Sequence, residues 1–271
     1  MNSSRDLHDK ILAFEGDGLF ERILRPWIQD NKYNEYNFGI SDKAGDTRIE
    51  IDASPDDLCE LYALTRVLDL LTLRFQPDNK ADGSEWKGPE IDLQEYKKFC
   101  GQIGLEVLYP DSFNTFNCEI IQAIEGEGTL QIIECFYPAV KRKNIMIKRA
   151  GIKIALDPTT FNIERVNTVP IYWAYRRKNR PYFDLSQGWG NNSQWNTQMR
   201  VDIETDGSFI YNQNGKLDLT NITPQVLNEL KEQRLELYEA IELAKYRHFF
   251  TSNNSDKDLF PYDFRYAERK D

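Results

Sequence analysis

The tetrapeptide Ser54-Pro55-Asp56-Asp57 constrains this chain more than any other local feature. Serine is a strong N-cap and proline is tolerated at the first helical position. Two carboxylates there meet the positive end of the helix dipole. The residues that follow predict a helix running to about Arg74, with Leu58, Leu61, Leu64, Leu68 and Leu71 as its main stripe. Tyr62, Val67, Leu70 and Leu73 widen that stripe, so the helix must be buried on most of its circumference. The stretch Leu58–Leu73 also carries Glu60, Arg66 and Asp69, and it is too short and too charged to span a bilayer.

Around this helix the pattern is mixed. A helix capped by Ser3 or Ser4, a short helix over Leu19–Leu24 ending before Pro26, and another over Asp92–Cys100 are expected. Tyr33–Ile40 and Thr47–Asp52 form a hairpin pattern about Asp42–Asp46. From about Leu105 to Ile210 the pattern turns to strands. Cys118–Glu125 and Thr129–Tyr137 read as a hairpin about Gly126-Glu127-Gly128. Asn144–Lys148, Gly151–Leu156, Val169–Arg176, Met199–Glu204 and Ser208–Tyr211 read as further strands. Thr223-Pro224 repeats the capping logic and opens a helix reaching Phe250, after which the aromatic tail Leu259–Tyr266 docks back. Short spacings between turn signals favour antiparallel pairing over crossovers. The expected class is α+β, a mostly antiparallel sheet from the middle of the chain packed against N-terminal and C-terminal helices. One domain over residues 1–271 is the simplest organisation, with residues 1–104, 105–222 and 223–271 as a natural subdivision.

The net charge of −10 becomes informative once divided. Residues 1–140 carry −14, residues 141–180 carry +9, and residues 181–271 carry −5. The basic stretch either faces an anionic partner or is the internal counter-surface of the protein's own acids. A sequence pI near 4.9 disfavours nucleic acid as the partner. The polar N-terminus, with no apolar run behind it, leads us to expect a soluble cytoplasmic protein. Cys59, Cys100, Cys118 and Cys135 are too far apart for a paired metal motif and read as reduced core thiols.

Recognisable catalytic and cofactor motifs are absent from the sequence, and neither a metal nor a cofactor is expected. His8 and His248 lie on the first and last expected helices, where satisfied core or edge positions account for them. The pairs Glu50/Asp52 and Asp202/Glu204 each project from one strand face, which reads as a solvated face.

Tyr172–Arg200 stands apart, with three of the five tryptophans, Trp173, Trp189 and Trp195. Arg176, Arg177, Lys178 and Arg180 crowd together, and Arg200 closes the segment. Guanidinium groups pair with phosphate or carboxylate and indoles stack, so Arg176, Arg177, Arg180 and Arg200 are candidate anion ligands. Trp189 and Trp195 would stack, while Asn191, Asn192 and Gln194 would orient polar groups. Asp184 or Glu204 would supply an acid or base. An alternative for Trp173 and Tyr175 is one packed strand face.

Three functions follow as expectations. The first is an acidic protein that captures a basic protein, as an inhibitor of the immunity or antitoxin type does, with Glu50, Asp52 and Trp86 as candidate contacts. A second is an enzyme or sensor binding a small phosphate-bearing or nucleotide-like ligand at residues 172–200. The third is a structural subunit without a ligand.

Overall fold

The computed structural model describes residues 3–30, 39–41, 50–77, 86–128, 130–184, 197–255 and 259–270. Within these the chain is α+β. Helix α1 (Ser4–Ala13) is capped by Ser3. A π-helical turn, Phe20–Leu24, runs straight into α2 (Arg25–Asp30). The helix therefore continues past Pro26 instead of ending before it. Pro26 lies at the junction of the π turn and α2, where the regular ladder of N–H to i−4 carbonyl bonds is already interrupted. Strands β1 (Gly39–Ser41) and β2 (Glu50–Asp52) pair antiparallel, as the hairpin pattern requires.

Helix α3 (Pro55–Thr72) begins where Ser54 predicts. The Asp57 amide donates to Ser54 Oγ at 3.2 Å, and the Ser54 amide donates to the Asp57 carboxylate at 2.9 Å. This reciprocal box satisfies two of the amide groups that a helix start leaves open. Its leucines fill the largest core cluster, with Trp27, Tyr96 and Phe99 from the neighbouring helices and Val140, Ile145 and Ile203 from the sheet. Helix α4 (Leu93–Gln102), capped by Asp92, completes this layer.

The strands follow as β3 (Glu106–Leu108), β4 (Cys118–Glu125), β5 (Gln131–Tyr137), β6 (Ala139–Arg142), β7 (Ile145–Lys148) and β8 (Ala150–Leu156). A short helix α5 (Ile163–Thr168) precedes β9 (Ile171–Tyr172), β10 (Tyr182–Phe183), β11 (Asp202–Glu204), β12 (Ser208–Tyr211) and β13 (Leu217–Asp218). Helices α6 (Pro224–Glu232) and α7 (Leu237–Tyr246) then lead to the last strand, β14 (Phe264–Arg269). The largest sheet has the order β13-β14-β12-β11-β7-β6-β3. Most pairings are antiparallel, the exceptions being β4 with β8, β9 with β10, and β13 with β14. The aromatic tail docks as expected, since β14 pairs with β12 and β13.

Three further local expectations fail, each for an identifiable reason. Strands β4 and β5 do not pair with each other, because β8 lies between them. The Gly126 amide donates to the Leu156 carbonyl at 2.9 Å, so the glycine turn closes on β8. The strand expected over Val169–Arg176 stops at Tyr172, because Trp173 takes φ 53° and Arg176 φ 52°. Trp173 and Tyr175 therefore do not share a strand face. The long C-terminal helix is two helices, broken where Arg234 adopts φ 54°.

Gly151 on β8 lies opposite the fully buried Tyr137 on β5, and a Cβ there would overlap the tyrosine ring. Overpacking of this kind costs about 1–3 kcal/mol. Gly151→Ala is expected to lower the urea midpoint accordingly, whereas Gly101→Ala, with open space around it, is expected to leave it unchanged or raise it slightly.

Candidate functional site

A buried pair of charges in α3 begins the site. Arg66 and Asp69, one turn apart, interrupt the leucine stripe and are both about 95% buried. They face a cleft that is completed by β4, the β7–β8 corner, the segment after β9, the approach to β11 and the end of α7. Its lining includes Tyr62, Glu119, Lys148, Arg149, Trp173, Arg177, Arg200 and Arg247, around a free space of about 40 Å³. Six of the lining side chains are cationic and two are carboxylates.

Two carboxylates organise these cations. Asp69 accepts from Arg66 at 2.7 Å, Lys148 at 2.5 Å and Arg177 at 3.0 Å. Arg177 also forks onto Glu119, with contacts of 2.6 and 2.9 Å, and Arg66 donates to Asp184 at 2.9 Å. Three lining cations and three carboxylates balance in this half, while the buried Arg180, outside the lining, also feels Glu119. Tyr62 donates to Asp184 at 2.6 Å, fixing that carboxylate from the other side.

The other half does not balance. Asp202, with no exposed surface, accepts from Arg149 at 3.0 Å, Arg200 at 2.8 Å and Arg247 at 3.1 Å. One carboxylate thus serves three guanidinium groups. Among the described residues, Arg149 Nε, Arg200 Nη1 and Arg247 Nε have no hydrogen-bond partner. An unmatched buried donor costs about 1–3 kcal/mol. Two like charges about 5 Å apart repel by roughly 3 kcal/mol at an effective dielectric of about 20. Residues 185–196, which adjoin this half in sequence, contain no ionisable side chain to offset it.

The protonation equilibria record the same imbalance. Burial alone would raise the carboxyls of Asp69 and Asp202, yet the surrounding arginines, with Lys148 beside Asp69, hold both well below the usual carboxylate range. Glu119 is likewise held low, against its burial, chiefly by Arg177. Arg247 and Arg200 show the reverse. Burial and the neighbouring Arg149 push Arg247 down to about 9, against the pull of Asp202. Burial pushes Arg200 down as well, with Asp202 opposing and Arg149 adding to the shift. A guanidinium with a depressed pKa costs folding free energy throughout the neutral range. An anion beside it would remove that cost.

Backbone geometry is strained where the cleft needs it. Positive φ at a bulky residue costs about 1–3 kcal/mol and persists only where surroundings enforce it. At Trp173 it turns the indole beneath Arg200, whose guanidinium lies 4.2 Å from the ring centroid. Arg247 caps α7 with φ 66°, and its carbonyl accepts from the Tyr172 amide at 2.8 Å.

Of the candidate ligands read from sequence, Arg177 and Arg200 meet in this cleft. Arg180 is buried outside the lining and donates to the Ile120 carbonyl at 3.0 Å. Arg176 is half-buried over Trp86, 5.5 Å from its ring, and Trp86 packs against the main core. Trp189, Asn191, Asn192, Gln194 and Trp195 lie outside the described residues. Glu50 and Asp52 pair in β2, and their side chains are not described. The solvated face expected for Asp202 and Glu204 is corrected at Asp202, which is buried because Asp202 must neutralise arginines. Glu204 is half-buried and pairs with Lys141 and Lys270. Asp184 is committed to Tyr62 and Arg66, a structural role that replaces the acid–base one. Sequence reasoning missed Asp69, Glu119, Lys148, Arg149 and Arg247. Arg66 and Asp69 had a legible signal, as charges in the middle of a helix that must be buried.

No family model, curated protein or solved structure matches this chain. Its site is therefore read from its own chemistry. Among the described residues no cluster of histidine, cysteine and carboxylate side chains could hold a metal ion, and no helix is long and apolar enough to cross a membrane. The four cysteines are unpaired thiols.

The pH dependence of stability follows from the depressed carboxyls. Unfolded values are about 3.9 for Asp and 4.3 for Glu, so their contribution is complete above about pH 4.5 and lost as pH falls further. Urea midpoints are expected to hold between pH 7 and 8, to decline below about pH 6.5 because the unfolded chain protonates His248 and His8 while burial keeps them neutral in the fold, and to drop steeply below pH 4.5. Asp202→Asn should cost about 3–5 kcal/mol at pH 7, because it strands three buried cations, and should flatten the acid limb.

Proposed function

We propose that this chain binds a small anion bearing a phosphate or chemically similar group in the cleft between α3 and the large sheet. One observation carries the reading: among the described residues, Asp202 is the one carboxylate serving Arg149, Arg200 and Arg247, leaving buried positive charge and buried N–H donors unmatched. Proteins rarely tolerate such an arrangement without a counter-charge. Guanidinium forks match tetrahedral oxyanions in geometry as well as charge. The acidic exterior fits a small ligand better than a polyanion, because flanking acids repel a long backbone over a Debye length of about 8 Å. The chemistry is that of capture; Asp69, Glu119, Asp184 and Asp202 are all occupied by cations, so none is placed as a free general base.

A second reading, capture of a basic protein, draws support from the charge left outside. Among the described residues eight basic and six acidic ones are buried, so the remainder of the sequence carries −12. Such a field accelerates association with a cationic partner and gives it a strong salt dependence. Glu50, Asp52 and Trp86 stay candidate contacts for that role, which extends to an inhibitor of the immunity or antitoxin type.

Sulfate or phosphate at millimolar concentration, against chloride of matched ionic strength, is expected to raise the melting temperature. Saturation at a hundredfold the dissociation constant contributes about 2.7 kcal/mol, or about 5–10 °C for a chain of this size. Arg200→Ala should abolish the response. An equal response in wild type and Arg200→Ala would overturn the reading, since it would report general salt exclusion. For the second reading, the expected outcome is a cationic protein retained at low salt and released by about 0.5 M NaCl, over a Debye length shortened to a few ångströms.

A further inference from the structure

Counting charge on each side of the cleft separates two kinds of basic residue. Arg66, Lys148 and Arg177 are matched by Asp69, Glu119 and Asp184. Among the described residues, Asp202 is the one carboxylate bonded to Arg149, Arg200 and Arg247, a local surplus of two that Glu119 offsets only through its more distant pull on Arg247. Other polar partners of this trio are neutral carbonyls: Arg149 donates to the Lys245 carbonyl at 2.5 Å and Arg200 to that of Ala244. The Lys245 ammonium is paired with Glu268. Arg149 and Arg200 are more than nine-tenths buried, and each keeps one unmatched N–H among the described residues. Trp173 is buried, with Arg200 over its ring and Tyr262 T-shaped against it, so this tryptophan is not open for stacking a ligand ring. What the enclosed space of about 40 Å³ receives is therefore a compact charged group, with the remainder of the ligand projecting outward.

We infer, building on the reading of the cleft as an anion site, that the ligand is a doubly charged oxyanion, a small-molecule phosphate monoester held by Arg149, Arg200 and Arg247. A dianion cancels the surplus of two completely. A phosphodiester, with one charge and two esterified oxygens, leaves one buried cation unmatched and has fewer acceptors for the N–H groups. Discrimination between the two follows from the charge count and needs no contact with the rest of the ligand.

A phosphate monoester loses its second proton near pH 6, which gives the inference a signature in solution. The groups facing the trio are poised away from that range. Asp202, Asp69 and Glu119 are held low, and burial together with the charge of Arg180 pushes His248 down to about 3. On the α3 side lie Lys148, pushed down chiefly by burial, and His8 of α1, pushed down by burial as well. Sulfate, a dianion at every pH in the range, reports any titration on the protein's side, these two included.

Calorimetric titration with methyl phosphate, dimethyl phosphate and sulfate at pH 5.0, 6.0 and 7.5 decides the matter. Methyl phosphate is expected to bind about tenfold more tightly at pH 7.5 than at pH 5.0, following its dianion fraction for a second pKa near 6. Sulfate affinity should stay constant, and dimethyl phosphate should bind at least thirtyfold more weakly than methyl phosphate at pH 7.5. Arg247→Met, which removes the least buried member of the trio, should reduce both the methyl phosphate affinity and the preference over the diester. If that variant fails to fold, the wild-type series still decides. Equal affinity for the diester, or a flat methyl phosphate profile, would overturn the dianion inference while leaving the anion site intact. Failure of all three probes to bind would overturn the anion site itself.

Discussion

A carboxylate shared among several buried guanidinium groups is the interaction on which this structure depends. Asp69 ties α3 to β7 and to the segment after β9, while Asp202 ties β11 to the β7–β8 corner and the end of α7. These ionic contacts join elements whose apolar faces also pack, since Val140, Ile145 and Ile203 of the sheet lie in the same core as the α3 leucines. Hydrophobic burial supplies most of the favourable free energy and has little directional preference. Orientation comes from the charged groups, because a buried carboxylate without its cations costs several kcal/mol. The strained backbone at Trp173 and Arg176 is held where these contacts require it.

How much of this was legible depended on whether the signal was local. Ser54 and Pro55 announce α3, and Thr223 and Pro224 announce α6, since a cap and its helix are neighbours in sequence. Cys118–Glu125 and Gln131–Tyr137 are strands as their composition suggests, but their partner, β8, arrives some twenty residues later. A glycine turn between two strands predicts a hairpin only when nothing else competes for the edge. The break at Arg234 went unread because the Schellman turn that ends α6, with the Leu235 amide on the Leu230 carbonyl and the Arg234 amide on that of Lys231, places arginine where glycine would have marked it.

The site divides in the same way. The basic stretch of residues 141–180 poses a choice between partner-facing and internal charge, and five of its eleven cations are buried. Arg177 and Arg200 belong to the cleft, yet neither is next in sequence to the carboxylate of the other half. Asp202 looked like one of many surface acids on an alternating strand. Nothing in its neighbours shows that Arg149 and Arg247, 53 and 45 residues away, converge on it. Arg66 and Asp69 were the exception, conspicuous because polar residues in an otherwise apolar helix must find partners.

The separations along the chain have a kinetic side. Tyr62 reaches Asp184 over 122 residues, Arg66 reaches the same carboxylate over 118, and Asp69 reaches Arg177 over 108. Closing loops of that length delays the contacts until much of the chain is already ordered. The cleft is thus expected among the last parts of the molecule to assemble, and a growing or truncated chain that ends before Arg247 lacks one of its arginines. Until that point its cations remain hydrated and open to competing acids among the 44 in the chain. Complete pairing at the cleft is therefore expected only once each layer has arrived in its proper register.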